Sequence, residues 1–241
     1  MSDAEAATGT GAVSETCVMS ETHAASQTAR VPLSGRRAEA ARNDERIMEA
    51  ARAVFLADPT APITAVAKLA GVGISALYSR YGSKEQLLRK LCTDGLARFI
   101  AETRAALADR RDAWTVFAEL MRRLVDADTS SMTLALAGTF TPTEDMFDLA
   151  EHARRLLQEL FDRVSGVLRP DVDVHDISVV LEMVAAIKAS GRERTRQLRQ
   201  RYLAVILDGL RARDGEPLAG PSPTWREHSG RWREHSGRWV T

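Results

Sequence analysis

Cysteine is nearly absent from the 241 residues: Cys17 and Cys92 stand far apart in different surroundings, which argues against a disulfide framework and predicts two free thiols. No apolar run approaches the roughly 20 residues of a membrane span. The N-terminus lacks the basic-then-apolar pattern of a secretion signal, so the expectation is a cytoplasmic protein with no membrane partner. Lysine occurs only at Lys68, Lys84, Lys90 and Lys188, leaving arginine for the other 29 of 33 basic residues, a bias compatible with a GC-rich bacterial genome. Also missing are H-E-x-x-H, G-x-S-x-G, a Walker phosphate loop and any clustered Cys/His ligand set. His152, His175, His228 and His235 have carboxylates nearby but no useful spacing. No catalytic constellation can be written from them, and neither metal nor cofactor is expected.

Net charge is missing as well, with 33 basic residues against 33 acidic ones, but its distribution is uneven. Residues 1–29 hold four acids and no lysine or arginine, whereas residues 30–90 hold eleven bases and six acids. What a polyanion feels is this local field, so residues 30–90 are the stretch suited to phosphate. The remainder nearly cancels. Residues 1–29 are rich in Ala, Ser, Thr, Gly and Glu without apolar periodicity, which predicts a disordered arm. Hydrophobic content of 44% over this length suffices for one small and one larger domain.

Between Ile63 and Leu88 the chain reads ITAVAKLAGVGISALYSRYGSKEQLL. Ile63, Val66, Ala67 and Ala70 recur at the spacing of one apolar face on a helix of about two turns, with Thr64 at its start. Gly71 and Gly73 flank Val72, where a sharp turn between helices needs the positive φ that glycine tolerates. At about 100° per residue the next helix gathers Ile74, Leu77 and Tyr81 on one side, with Tyr78 at its edge. Ser75, Ala76, Ser79 and Arg80 share the other side. That side is small and polar around one arginine, which suits a helix lowered into a major groove about 12 Å wide. Arg80 can fork onto guanine or grip phosphate. Gly82 is expected to stop the helix and Ser83 to cap the next one, with Gln86 three residues on as in a capping box. Lys84 and the orphan amides of that next first turn form a natural phosphate site that fixes register without reading sequence.

A helix over Arg42 to Leu56, followed by AVAKLAGV, ALYSRY and GSKEQLL in this order and spacing, resembles the DNA-binding domain of TetR-type transcriptional regulators. The resemblance covers roughly residues 40–100. It implies an all-α protein, with a three-helix DNA-binding head and a helical body that dimerises and usually holds a small effector. It places Tyr78 and Lys84 on the family's phosphate-contacting tyrosine and lysine, Thr64 on a phosphate contact, and Leu77 and Tyr81 on packing positions. Ser75, Ala76, Ser79 and Arg80 fall on the variable reading positions. Gly73, counted with the DNA-facing residues, opens the recognition helix where the family often has serine, a cap stronger by only a few tenths of a kcal/mol. Asp58-Pro59-Thr60-Ala61-Pro62 stands where the family often has a Gly-aromatic pair, and Pro62 at a helix start costs little.

The expected organisation is an arm over 1–40, a helix-turn-helix domain over 41–90 with its fourth helix running on to about 109, an effector-binding and dimerisation domain over 91–213, and a flexible tail over 214–241. The arginines Arg30, Arg36, Arg37 and Arg42 either enter an adjacent minor groove or belong to a solvated linker that raises attraction to the backbone. The first helix is expected to bury Ile47, Ala50, Ala51, Val54 and Phe55, and the fourth Leu88, Leu91, Phe99 and Leu107. Gly95 within the fourth either loosens it or marks a tight contact.

Further helices are predicted near Asp112 to Ala127, Ser130 to Gly138, Thr143 to Leu168, Val174 to Ser190 and Arg192 to Arg213. Trp114, Phe117, Met121, Met132, Leu134, Phe140, Met146 and Phe147 form a mixed aromatic and methionine set that either lines an effector cavity or makes ordinary core. The ligand-binding candidates are Trp114, Phe117, Met121, Phe140, Met146 and Phe147, together with Met183. Thr139, Thr141 and Thr143 either supply hydroxyls there or cap the helix that follows.

Ile177, Val180, Leu181 and Val184 form one stripe, continued by Ile187; Leu198, Tyr202, Val205, Ile206 and Gly209 form another, continued by Leu210. Two such helices can make half of a four-helix dimer interface, or pack wholly inside one subunit. From Trp225 a seven-residue unit repeats at Trp232 and begins again at Trp239; it lacks the aliphatic pair of a coiled coil and reads as a mobile tail. The function implied is a homodimeric regulator, most often a repressor, that binds a near-palindromic double-stranded operator and is released by a small-molecule effector. The alternatives are a DNA-binding regulator controlled by a protein partner, or a helical enzyme.

Overall fold

The structure is a computed structural model that describes residues 33–136, 138–213, 215–224 and 226–227. The predicted arm over residues 1–32 and all but the start of the seven-residue repeat lie outside the described residues. The chain divides into two compact units, Met1–Glu39 and Ala40–Thr241, and every described core residue belongs to the second.

Nine α-helices are described: α1 (Leu33–Ala57), α2 (Ile63–Ala70), α3 (Ile74–Tyr81), α4 (Lys84–Ala108), α5 (Ala113–Asp126), α6 (Thr129–Leu136), α7 (Glu144–Val164), α8 (Val174–Ala186) and α9 (Arg192–Leu210). A 3₁₀ turn at Ser165–Val167 follows α7. The helix α1 begins at Leu33, so residues 33–40 are helical and not part of the expected arm.

Apolar periodicity accounts for the helices of the second unit. In α2 the residues at the predicted spacing, Ile63, Val66, Ala67 and Ala70, are those buried. In α1 Ile47, Ala50, Ala51 and Phe55 face the core, with Val54 packed at its margin. In α5 Val116, Phe117, Leu120, Met121 and Leu124 line one side, each such burial stabilising the fold by about 1.5–3 kcal/mol before entropy is counted. Side chains close the starts of α5 and α8: Asp112 accepts from the Thr115 amide at 2.9 Å, and Asp173 forms a capping box with Asp176.

The longest connection is α4, which starts beneath α3 and runs on against α5, α6 and α7. Leu87, Leu88, Leu91 and Cys92 on its first turns join the head residues, and Met132 and Leu136 from α6, Phe140 from the loop after it and Met146 from the start of α7 join the same cluster. A second cluster is built from α5, the end of α7, α8 and α9. The expected boundary at residue 90 or 91 therefore falls inside a continuous core, because one helix serves both sides of it. Gly95 interrupts nothing: a Cβ there would meet the Thr129 carbonyl oxygen at an ordinary 3.8 Å.

The beginning of the expected tail is tied down. Arg169 donates to the Glu216 carbonyl at 2.6 Å, the Leu218 amide to Asp171 at 2.7 Å, and the Ser222 hydroxyl to Asp176 at 2.6 Å. Hydrogen bonds from Arg169 and then from the Leu218 amide hold the Asp171 carboxyl well below the usual carboxylate range. No helix among the described residues is long and apolar enough to cross a membrane.

Candidate nucleic-acid interface

The turn between α2 and α3 depends on one glycine. Gly71 has φ 66° and ψ 36°, the left-handed geometry of a helix C-cap. Arg46 of α1 donates to the Ala70 carbonyl at 2.6 Å, satisfying an end carbonyl of α2 and bracing the turn. Gly73 differs from expectation: its φ of −67° and ψ of 141° are ordinary extended values, so the turn needs positive φ at Gly71 alone. Nothing lies within 4 Å of where a Cβ on Gly73 would stand.

The two sides of α3 separate largely as predicted. Leu77 is fully buried and Tyr81 nearly so, whereas Ser75, Ala76, Tyr78, Ser79 and Arg80 are exposed. Ile74 departs from the expectation of a packed residue, being 36% exposed. A helical side chain leans toward the N-terminus, so the first residue of α3 hangs over the turn and past the edge of the core. At the other end Gly82 adopts φ 66°, and its amide donates to the Tyr78 carbonyl at 2.7 Å.

The charged groups at this surface have partners within the protein. Arg80 pairs through Nη2 with Oδ2 of Asp44 on α1, and the Tyr81 hydroxyl donates to Asp44 Oδ1 at 3.0 Å. Burial pushes the Tyr81 phenol above its ordinary value. Lys84 Nζ donates to the carbonyls of Pro59 at 3.2 Å and Thr60 at 3.0 Å, and lies 5.2 Å from the centroid of the Phe55 ring. These acceptors are neutral and tie α4 to the loop before α2, where the Asp58 carboxylate is within electrostatic reach of the ammonium. Ser83 accepts from the Gln86 amide at 3.1 Å, the Ser83 half of the expected capping box. Thr64 is exposed near the start of α2, where Pro62 occupies the cap position.

Asp44 and Arg46 are the residues that sequence reading missed. Both sit in a mixed stretch of α1, where Glu39, Asp44, Glu45 and Glu49 are interspersed with arginines and no motif occurs, so nothing in the sequence singled them out.

The body candidates do not gather at one place. Phe117 and Met121 are core residues among α5, α7, α8 and α9, and Trp114 packs at their margin with its ring centroid 6.1 Å from that of Phe117. Phe140 and Met146 belong to the cluster shared with the head, and Phe147 is half-buried. Met183 is 59% exposed on the outside of α8.

The dimer candidates also divide. Ile177, Val180, Leu181 and Val184 are buried within their own subunit as part of the second cluster, correcting the expectation that this stripe faces a partner. The most apolar face of α8 is the one its own fold consumes. On α9, Leu203, Leu207 and Leu210 pack inward, leaving Tyr202 and Val205 exposed and Leu198, Ile206 and Gly209 half-buried. Met183, Val184, Ile187, Tyr202, Val205 and Ile206 line an open groove of about 350 Å³ between the two helices.

Two family models match the chain: the bacterial regulatory proteins of the tetR family over residues 47–91, and the C-terminal domain of SbtR-like transcriptional regulators over residues 109–212. Among solved structures, a TetR transcription regulatory protein from Mycobacterium vanbaalenii is 29% identical, with a TM-score of 0.50 over 73% of this chain and 99% of that one. A TetR transcriptional regulator from Streptomyces coelicolor is 27% identical, with a TM-score of 0.50 over 70% and 99%. A ketosteroid transcriptional regulator of Mycobacterium tuberculosis shares the fold at 20% identity, with a TM-score of 0.55 over 71% and 96%. No curated protein matches the chain.

Proposed function

Because the chain belongs to the TetR family of transcriptional regulators, which bind DNA and are not enzymes, we propose that it is a cytoplasmic homodimeric repressor released from its operator by a small molecule. The observation that carries this reading is the division of α3, with Leu77 and Tyr81 anchored while Ser75, Ala76, Ser79 and Arg80 face out. That edge meets base pairs in the major groove, and Gly73 at its start lets the helix approach closely. Tyr78, Lys84 and Thr64 contact phosphates and set the register.

Two heads related by a twofold axis place their α3 helices about 34–36 Å apart, one turn of the duplex, and so require a nearly palindromic site. The apolar groove of α8 and α9 supplies the dimer contact. The effector binds in the body, where Phe117, Met121 and Trp114 or Phe140, Met146 and Phe147 are the apolar residues available. Its route to the head is the cluster that α6 and the start of α7 share with α1 to α4. It releases DNA by favouring the head spacing that fits the operator less well, since only differential affinity moves such an equilibrium.

The test is recovery of genomic fragments bound by the purified protein, followed by footprinting and a salt titration. Protected near-palindromes whose affinity falls steeply with salt are expected, and small molecules acted on by the products of adjoining genes are then titrated against the complex. Indifference to every duplex at low ionic strength overturns the reading.

A further inference from the structure

We propose that Asp44 is a specificity-determining residue that keeps Arg80 a reader of guanine edges and prevents it from acting as a general phosphate clamp. This rests on the reading of α3 as the base-reading helix. Asp44 belongs to α1, yet its carboxylate reaches α3, accepting from Arg80 Nη2 at one oxygen and from the Tyr81 hydroxyl at the other, 3.0 Å away. Tyr81 is 8% exposed, so the hydroxyl that holds the carboxylate is itself fixed in the core. The pair is not a buried structural one: the Arg80 and Asp44 side chains keep 44% and 31% of their exposure. It stands at the edge that faces DNA, where an exposed ion pair contributes little to folding.

The consequence follows from what each DNA group offers. A phosphate approaching Arg80 also meets the charge of Asp44, so the pair presents almost no net charge and releases few counterions from the duplex. Guanine O6 and N7 are neutral acceptors and do not suffer that repulsion. The guanidinium has five N–H donors in a planar fork, so it can keep one on Asp44 while it offers others to the base. Asp44 therefore lowers the affinity of Arg80 for backbone much more than for a guanine edge, and it aims the fork. Lys84 donates to neutral carbonyls instead, so more of its charge is left for phosphate.

The experiment uses the full chain. Duplexes are selected from a randomised library, and affinities for a selected and a scrambled duplex are then measured over a salt series for wild type, Asp44→Asn and Tyr81→Phe. The Asn variant keeps the shape and an acceptor for Tyr81 but removes the charge. It is expected to bind scrambled DNA more tightly, to steepen the dependence of log affinity on log salt by about 0.9 for each head, and to lose about fivefold or more in discrimination at the guanine read by Arg80. Tyr81→Phe leaves the charge in place but frees the carboxylate it held, and is expected to keep the wild-type salt slope while losing less discrimination than the Asn variant. An Asn variant with the wild-type slope and discrimination overturns the proposal, as does equal weakening of both duplexes by both variants, which would make Asp44 a brace for α3. A wild-type protein that selects no duplex overturns the assignment of α3 as well.

Discussion

Arg199 on α9 lies with Nη1 2.5 Å from Oδ1 of Asp128, the residue at φ 53° that turns the chain from α5 into α6. The same guanidinium donates to the carbonyls of Ala185 at 2.6 Å and Ile187 at 3.1 Å, closing the end of α8. One side chain, 9% exposed, thus joins α9 to the α5–α6 turn and to the end of α8. The next residue, Lys188, donates to the Leu56 carbonyl at the end of α1 at 3.2 Å, which carries the join to the head. Arg199→Ala removes the donor that the Ala185 and Ile187 carbonyls share with the Asp128 carboxylate. It is expected to cost about 2–4 kcal/mol, read as a lower urea midpoint with an unchanged m-value.

The turn of the helix-turn-helix gives a paired expectation. Gly71→Ala forces a side chain into left-handed geometry, 3.0 Å from Arg46 Nη2, and should lower stability by about 1–2 kcal/mol. Gly73→Ser meets open space at an ordinary φ and adds a capping hydroxyl for α3, so it should be neutral or stabilising by a few tenths of a kcal/mol. Thermal melting of the two variants separates the cases.

These two glycines also mark where reading the sequence succeeds and where it stops. The pattern GVG announces a turn, but which glycine bends backwards is decided by how α1 and α2 meet, through Arg46 and the Ala70 carbonyl. Burial in α2 was legible to the residue because a two-turn helix has a single apolar face to offer. The α8 stripe was equally legible as apolar, yet periodicity does not say whether a face meets its own chain or a second copy. Ile177 and Val184 meet their own chain, whereas Tyr202 and Val205, read in the second stripe, stay exposed, and Met183 beside them was read as a ligand candidate. The partner of Arg80 was not legible at all, since Asp44 reaches it only through the packing of α1 beside α3.

Lys84 is expected to contribute to every duplex alike. Its ammonium is held by two backbone carbonyls and by the Phe55 ring, none of which cancels its charge. Lys84→Ala should weaken selected and scrambled DNA by similar factors and reduce the salt slope by about 0.9 for each head. A loss confined to the selected site, measured by the same titration, would move Lys84 to base reading.

Cys92 on α4 provides a pH-dependent expectation. Burial pushes its thiol up to about 12, so the folded state retains a proton that the unfolded chain releases above about 9. The contribution is complete below the unfolded value and is lost as pH rises from about 9 towards 12. In a Cys17→Ser background, native alkylation at pH 8 should be slow and limited by opening of the fold. The urea midpoint should fall less steeply above pH 9 once Cys92 is replaced by alanine.

The dimer proposal is tested at Val205, which is 65% exposed on α9 beside Tyr202 and across the groove from Met183. Because Val205 packs little within its own subunit, Val205→Asp should leave the protomer folded, with an unchanged helical circular dichroism spectrum. In a twofold dimer built on this groove the new carboxylate would be taken out of water near its own counterpart, a position that costs several kcal/mol without a compensating cation. Light scattering should therefore report monomer where wild type gives dimer. Operator affinity should fall by about a hundredfold or more, because two independent heads no longer share an effective concentration. Leu203→Asp, two residues away but fully buried, should instead unfold the body. A Val205→Asp protein that remains dimeric and binds its operator normally would place the interface on another face.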